Sequence, residues 1–196
     1  MKLPEPVSDG KRSLESALNE RRSVRDYTAA SLILAELAQL LWAAQGVTSP
    51  DGLRTAPSAG ALYPLETYVA AGRVDGLSSG LYKYEPAGHS LTLVAGGDER
   101  AGLAAAALGQ TCVETAAAVI AFAAVYGRTT AKYGERGRRY VHMEVGHAAQ
   151  NVCLQATALG LGIVVVGAFD DRALRTVLHL ARGEEPLGLV CVGRPR

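Results

Sequence analysis

The stretch that most restricts the backbone conformation of this chain is RTAPSAGALYPLE, positions 54–66, in which small residues lie between two prolines. Pro57 fixes its own φ and pushes the residue before it into extended backbone, while the Ser58 hydroxyl can cap a helical turn that follows. Residues 59–61 carry almost no side chain, so backbone N–H groups there can approach a flat ligand closely. The stretch also suits an ordinary turn before a strand, because glycine and proline mark turns in general.

Length and composition predict one globular domain over residues 1–196, with residues 1–12 as a flexible N-terminal segment. The chain is 48% hydrophobic and 20% charged, and its net charge of +1 argues against a nucleic-acid-binding surface or a polybasic membrane patch. No apolar run reaches the ~18 residues of a membrane span, and the start lacks the apolar core of a secretory signal. Cys112, Cys153 and Cys191 are far apart in apolar surroundings. They are typical of buried thiols in a reducing compartment, which predicts a cytoplasmic protein.

A cationic cluster follows the first predicted helix, Leu14–Glu20. Arg21, Arg22 and Arg25 fall within five residues, and Ser23 lies among them. Guanidinium groups and a hydroxyl suit a phosphate monoester, which predicts an anion site. A solvated helix end is the alternative, since cations also suit the C-terminal end of a helix dipole.

Periodicity and turn signals predict an α+β fold with a central, mostly antiparallel sheet flanked by helices. A helix capped by Ser31 and ended by Gly46 comes before a strand at 66–72. A hairpin at 80–95, a helix at 98–108 and a buried strand at 117–125 follow. The second half has a polar, mobile loop at 126–140 that a helix enters at its end, a helix at 141–159, a strand after Gly160, a helix capped by Asp170 and a last strand at 186–192.

The predicted helix at 141–159 has an apolar stripe and a polar stripe, the latter formed by Glu144, His147, Asn151 and Gln155. A helix that is apolar on one side and hydrogen-bonding on another predicts burial at a subunit contact.

Three segments match catalytic or binding patterns only formally. Ser78 lies in a GLSSG sequence, but a hydrolase nucleophile needs a strand before it and a helix after it. His142 and His147 are five residues apart and do not share a helix face, so no metal site is predicted. The glycines of 160–167 follow a helix and precede a strand, which is the reverse of the order in a dinucleotide-binding fingerprint.

Four segments together resemble the nitroreductase-like flavoproteins, and most closely their SagB-type dehydrogenase branch, which includes the oxidases of thiazoline and oxazoline peptides. They are RRSVR at 21–25, PSAGALYPLE at 57–66, KYG through RY at 132–140, and GHAAQN with GLG at 146–162. The resemblance runs from about Leu14 to Pro195. It implies a homodimer with FMN at the interface.

By that resemblance, each candidate site residue has an expected place. Arg21 and Ser23 would hold the phosphate and ribityl chain, helped by Arg22 and Arg194, and Arg25 would lie near the N1–O2 edge of the flavin. The loop of Pro57, Ser58, Ala59 and Gly60 would touch the flavin of the other subunit. Gln110 would lie near its polar edge, unless it is a surface glutamine, and the backbone of Val166 and Gly167 would face N5 and O4. Lys132 and Tyr133 would be the catalytic pair, with the lysine as base, unless they are an exposed loop pair.

The reaction direction and the substrate stay open at this level. A dehydrogenase of SagB type would oxidise a small molecule or a modified peptide and return electrons to oxygen. An NAD(P)H-dependent reductase of nitro compounds or quinones would need no base at Lys132. A non-catalytic flavin-binding module is the third possibility.

Overall fold

The computed structural model describes residues 1–196 and centres on a six-stranded sheet of order β5-β4-β2-β6-β8-β7. Every neighbouring pair in this sheet is antiparallel, as the sequence predicts. A short parallel pair, β1 with β3, lies apart from it. The strands are β1 Leu32–Ile33, β2 Leu65–Ala71, β3 Val74–Asp75, β4 Gly80–Glu85, β5 Ser90–Gly96, β6 Ala118–Ala124, β7 Gly162–Val166 and β8 Glu185–Gly193.

Seven α-helices cover the two faces of the sheet. They are α1 Leu14–Glu20, α2 Leu34–Gln45, α3 Arg100–Ala106, α4 Thr111–Thr115, α5 Tyr126–Tyr133, α6 Arg136–Ala158 and α7 Asp171–Val177. One core joins α2 and α6 to one face of the sheet, and a second joins α3, α4 and α7 to the other. Strand β6 lies between the two cores, and all seven of its residues are buried. None of the helices combines the length and the apolar composition that a membrane span requires.

Local chemistry sets most helix ends where the sequence predicts them. Gly46 follows α2, Gly160 follows α6 with φ +72°, and the Asp170 carboxylate accepts a hydrogen bond from Ala173 N at 2.7 Å. The expected cap at Ser31 is wrong. Helix α2 begins three residues later, where the Glu36 carboxylate accepts from Ile33 N at 3.0 Å.

The polar segment 126–140 is helical, so the prediction of a mobile loop is wrong. Helix α5 is followed by Gly134, whose φ of 57° and ψ of −151° favour glycine, and α6 begins two residues later. A methyl group on Gly137 would lie 3.0 Å from backbone atoms of Thr129 and Thr130, so the glycine lets the two helices pack closely. The polar residues of this segment lie mainly on its outer face.

The N-terminal segment, expected to be flexible, is attached to the fold over its first seven residues. Leu3 is buried, and its N–H donates to the His89 carbonyl at 3.0 Å. The side-chain amide of Gln39 exchanges hydrogen bonds of 2.8 and 2.9 Å with the backbone of Val7. Both contacts join the segment to residues that are distant in sequence.

Candidate active site

The cationic segment lies along the open edge of β7. Ser23 pairs with Ile163 in a parallel bridge, Val24 N donates to the Ile163 carbonyl at 2.8 Å, and Thr28 N donates to the Arg194 carbonyl at 2.9 Å. Residues 21–28 therefore extend the sheet beyond its last strand and hold the arginines at a fixed place.

The cationic segment has no carboxylate partner within the chain. Arg21, Arg22 and Arg25 form none of the eight ion pairs of the structure. Only Arg22 makes a side-chain hydrogen bond, from its Nη1 to the carbonyls of Asn19 and Arg21. A cluster of unneutralised guanidinium groups beside a hydroxyl is chemically suited to an anion.

The corner after β7 lies on the same edge and is held by Gln110. The Gln110 side-chain amide donates to the carbonyls of Ala107 at 2.9 Å and Ala168 at 3.0 Å. Because the Ile163 carbonyl points outward and strand residues alternate, the backbone of Val165 also points to the open edge, whereas that of Val166 faces β8. Gly167 lies just after the strand, and its N–H donates to no acceptor in the chain.

Arg194, predicted to complete a phosphate site, is engaged elsewhere in the chain. Its Nη2 pairs with the Glu36 carboxylate at 2.8 Å, and its Nε donates to the Ser31 carbonyl at 3.3 Å. These contacts fasten the start of α2 to the end of β8. The structure therefore gives Arg194 an anchoring role. At this edge of the sheet, the guanidinium groups without a carboxylate partner are those of the cationic segment.

The loop between the prolines forms a tight turn with free donors. Ala59–Ala61 is a 3₁₀ turn, and φ is positive at Gly60 (65°), Ala61 (52°) and Tyr63 (45°). The Ser58 hydroxyl oxygen accepts from Tyr63 N at 2.9 Å and closes the loop from inside. The N–H groups of residues 58–60 donate to no acceptor in the chain, so they can serve a ligand.

Lys132 and Tyr133 lie against this turn, at the end of α5. A methyl group placed on Gly60 would be 2.8 Å from the Tyr133 hydroxyl and 3.1 Å from Lys132 Nζ. The Lys132 ammonium is 5.5 Å from the centre of the Tyr133 ring, which packs edge-on against Tyr140 at 5.2 Å. The structure thus brings together two predicted parts of the site that are about 70 residues apart in sequence.

The predicted site residues fall into two clusters within one chain. The β7-edge cluster consists of residues 21–25, Gln110 and Gly167, and the turn cluster consists of residues 57–60, Lys132 and Tyr133. The turn precedes β2, and three strand-to-strand steps separate β2 from β7. At ~4.8 Å per step this is about 14 Å across the sheet.

Buried polar groups on α2 and α6 support the turn cluster, although their sequence pattern did not assign them to the site. Asn151 Nδ2 donates to the Thr55 carbonyl at 3.3 Å, and Arg54 Nη1 donates to Gln45 Oε1 at 2.8 Å. Glu144 is 2% exposed and lies beside the Ser58 hydroxyl and the Arg54 guanidinium. Burial raises the pKa of Glu144 to about 7, although Ser58 and Arg54 act in the opposite direction.

These residues belong to the polar stripe of α6, which the sequence pattern assigns to a subunit contact. Within the chain, Glu144 and Asn151 face the 54–58 loop, and Gln155 Oε1 accepts from Gln39 Nε2 on α2 at 3.2 Å. Only His147 of the stripe is exposed. Most of the stripe therefore serves the interior of its own chain.

Comparison with known proteins decides the family. The family model described as "Nitroreductase family" matches residues 18–194. The chain belongs to the nitroreductase family. A relative from Methanocaldococcus jannaschii, called "Putative nitroreductase MJ1384", is 53% identical over 183 residues, which are 92% of this chain and 90% of the relative. The chain is therefore a nitroreductase-family oxidoreductase, and this family typically binds a flavin.

Solved structures share the α+β nitroreductase fold. A Ralstonia eutropha structure called a putative nitroreductase has a TM-score of 0.87 at 33% identity, covering 100% of this chain and 89% of that one. One from Anabaena variabilis, also called a putative nitroreductase, has a TM-score of 0.83 at 34% identity, covering 93% of this chain. The present chain spans only 38% of the length of the Anabaena chain.

One further structure with the same fold belongs to a synthetase complex. The Escherichia coli microcin synthetase McbBCD complex, solved with truncated pro-MccB17 bound, matches at a TM-score of 0.80 and 24% identity, over 90% of this chain and 70% of that one. At that identity the likeness shows the fold alone.

Proposed function

We propose that this protein is an FMN-dependent oxidoreductase of SagB-dehydrogenase type. The position of Lys132 and Tyr133 against the Gly60 turn carries the proposal. It puts a basic amine and a phenol beside the loop that the family resemblance assigns to the flavin.

Two observations fit FMN as the cofactor. The unneutralised guanidinium groups of Arg21 and Arg25, with the Ser23 hydroxyl, suit its phosphate and polar edge. The free N–H groups of residues 58–60 and of Gly167 suit its ring heteroatoms. The small side chains of residues 59–61 leave room for a flat ring at that turn.

The two clusters support a homodimer in which each flavin site is shared. With about 14 Å of sheet between them in one chain, the β7-edge cluster would bind a flavin that the turn cluster of the partner covers. In this arrangement each protomer contributes cofactor-binding cations to one site, and Lys132 with Tyr133 to the other.

The residues of the site have distinct chemical tasks. When bound, FMN supplies hydride transfer at its N5 atom. Arg25 would place its positive charge near the N1–O2 edge of the flavin, where reduction adds negative charge. This charge would lower the energy of the reduced, negatively charged flavin. Lys132 takes a carbon-bound proton of the substrate as a general base, and Tyr133, within contact of the same turn, orients that amine. The substrate is a small molecule or a modified peptide.

An NAD(P)H-dependent reductase of nitro compounds or quinones is the second candidate. The M. jannaschii relative carries the name of a nitroreductase. A fold neighbour from Vibrio harveyi is described as an NADPH:FMN oxidoreductase in complex with NAD⁺, with a TM-score of 0.68 and 20% identity over 93% of this chain and 68% of that one. In this reaction Lys132 would be dispensable. A flavin-binding module without turnover is the third candidate.

Visible absorption spectra of the purified protein test the proposal, first with added FMN and then with NADPH under anaerobic conditions. The proposal predicts a bound-flavin spectrum that NADPH does not bleach, and oxidation of azoline peptides that Lys132→Ala abolishes. Bleaching by NADPH in both wild type and Lys132→Ala would support the reductase instead. A bound flavin that accepts hydride from no donor would favour the silent module, and a protein that takes up no FMN would overturn the cofactor assignment.

A further inference from the structure

Glu144 is a buried carboxyl group with incomplete hydrogen bonding. The other buried carboxyl group of the chain, Glu184, accepts from the Tyr68 hydroxyl at 2.6 Å, from Lys83 Nζ at 2.9 Å and from Ala181 N at 3.1 Å. In contrast, Oε1 of Glu144 has no hydrogen-bond partner at all. An unpaired buried polar atom costs free energy, so its retention at this place calls for an explanation.

The neighbours of Glu144 connect it to the turn. The Ser58 hydroxyl oxygen already accepts from Tyr63 N, so the hydroxyl proton is available to the carboxyl group beside it. Arg54 supplies the nearby positive charge and is itself fixed, because its guanidinium donates to Gln45 and lies 4.3 Å from the centre of the Tyr63 ring. Helix α6 thus contacts both ends of the loop through one carboxyl group.

Apart from Arg54, charged or titratable groups reach Glu144 only indirectly. Arg54 faces it from the loop, and its charge is in turn influenced by Glu66, Tyr63 and Arg128. Lys132 and Tyr133 of α5 contact the far side of the same turn. On α6, Tyr140 and His147 lie one turn away from Glu144 in either direction, and His147 is exposed.

We propose that Glu144 is a positioning residue for the turn Ser58–Ala61: its buried carboxyl group, while protonated, packs beside the Ser58 hydroxyl and keeps the free N–H groups of the turn aimed at the cofactor, and once the proton is lost the turn must loosen to hydrate the buried charge. The physical reason is that an ionised carboxylate would be buried with one oxygen unpaired, and the loop must move to admit water to it. Since burial raises the pKa of Glu144 to about 7, this change falls near neutral pH. The inference rests on the proposed function, because it assumes that the turn contacts FMN.

Glu144→Gln is the matched variant, since glutamine has nearly the same shape and cannot ionise. We expect the FMN affinity of the wild type, measured by quenching of flavin fluorescence from pH 5.5 to 8.5, to fall about tenfold above pH 7, as a pKa difference of about one unit between bound and free protein would give. Glu144→Gln should bind with the tighter affinity at every pH. His147→Gln, a control on the exposed side of the same helix, should keep the wild-type profile.

A second readout needs no cofactor and stays decisive if the proposed function fails. Amide hydrogen exchange of residues 54–63 in the free protein should be faster in wild type than in Glu144→Gln at pH 8, and equal in the two at pH 5.5. Amides of α2 serve as the internal reference. Equal exchange at both values of pH, or a pH profile that His147→Gln removes, would overturn the role of Glu144. Failure to bind FMN at any pH, with the exchange difference present, would overturn the cofactor assignment alone.

Discussion

At the scale of single residues, Gly60 is a position where two separate effects oppose any larger side chain. Its φ of +65° is in the left-handed region, and the space where a Cβ would lie is taken by Tyr133 and Lys132. Backbone strain and side-chain crowding therefore both act there. Only the strain would act at Gly160, which has φ +72° and no atom within 4 Å of the place where a methyl group would lie.

Gly60→Ala should consequently affect the site more than the stability. We expect both Gly60→Ala and the control Gly160→Ala to lower the free energy of unfolding by about 1 kcal/mol, the usual cost of the left-handed region for alanine. Only Gly60→Ala should also displace Lys132 and Tyr133 and reduce turnover, by tenfold or more in order of magnitude. Thermal unfolding and steady-state assays of both variants make the comparison. Equal turnover in the two would mean that the contact with Gly60 has no functional role.

At the scale of elements, the cationic segment depends on two glycines of the sheet edge. A methyl group on Gly193 would lie 2.8 Å from the Tyr27 ring, and one on Gly162 would lie 2.9 Å from the Val24 side chain. Tyr27 is buried and donates its hydroxyl to the carbonyls of Val24 at 2.8 Å and Cys191 at 3.2 Å. Close backbone approach thus fixes the register of the arginines on β7.

Gly193→Ala should push residues 21–28 away from the sheet. FMN affinity should fall because the guanidinium groups move with the segment, and the melting temperature should drop as Tyr27 loses its packing. Gly188→Ala is a control on the same strand β8, where the nearest atom to a methyl group, the Val166 carbonyl oxygen, is 3.8 Å away. Fluorescence titration with FMN measures the FMN affinity of both variants. Unchanged affinity in Gly193→Ala would show that the segment does not position the cofactor.

The elements that could be predicted from sequence are those set by local chemistry or by a long apolar run. The buried strand expected at 117–125 is β6, and the helix expected at 14–20 is α1. The sequence pattern of 126–140 favours a loop, whereas its helices depend on the close packing at Gly137, a tertiary contact that periodicity does not reveal. Periodicity likewise placed Glu144 on a polar face of α6 but could not show that the 54–58 loop covers that face.

At the scale of the whole molecule, the sheet separates the candidate site into two incomplete parts. The β7-edge cluster has the cations, and the turn cluster has the free N–H groups, the lysine and the tyrosine. The β7-edge cluster lacks the lysine and the tyrosine, and the turn cluster lacks the phosphate-binding cations. The two become one site only if a second copy of the chain brings its turn cluster to the β7 edge.

Complementation between two defective chains tests this shared site most directly. One chain carries Arg21→Ala with Arg25→Ala, the other carries Gly60→Val, and each homodimer should bind little FMN. A purified heterodimer should regain one intact site and one doubly defective site, so calorimetric titration should give one FMN per dimer at wild-type affinity. A heterodimer that binds no better than its parents would contradict a site built from two protomers.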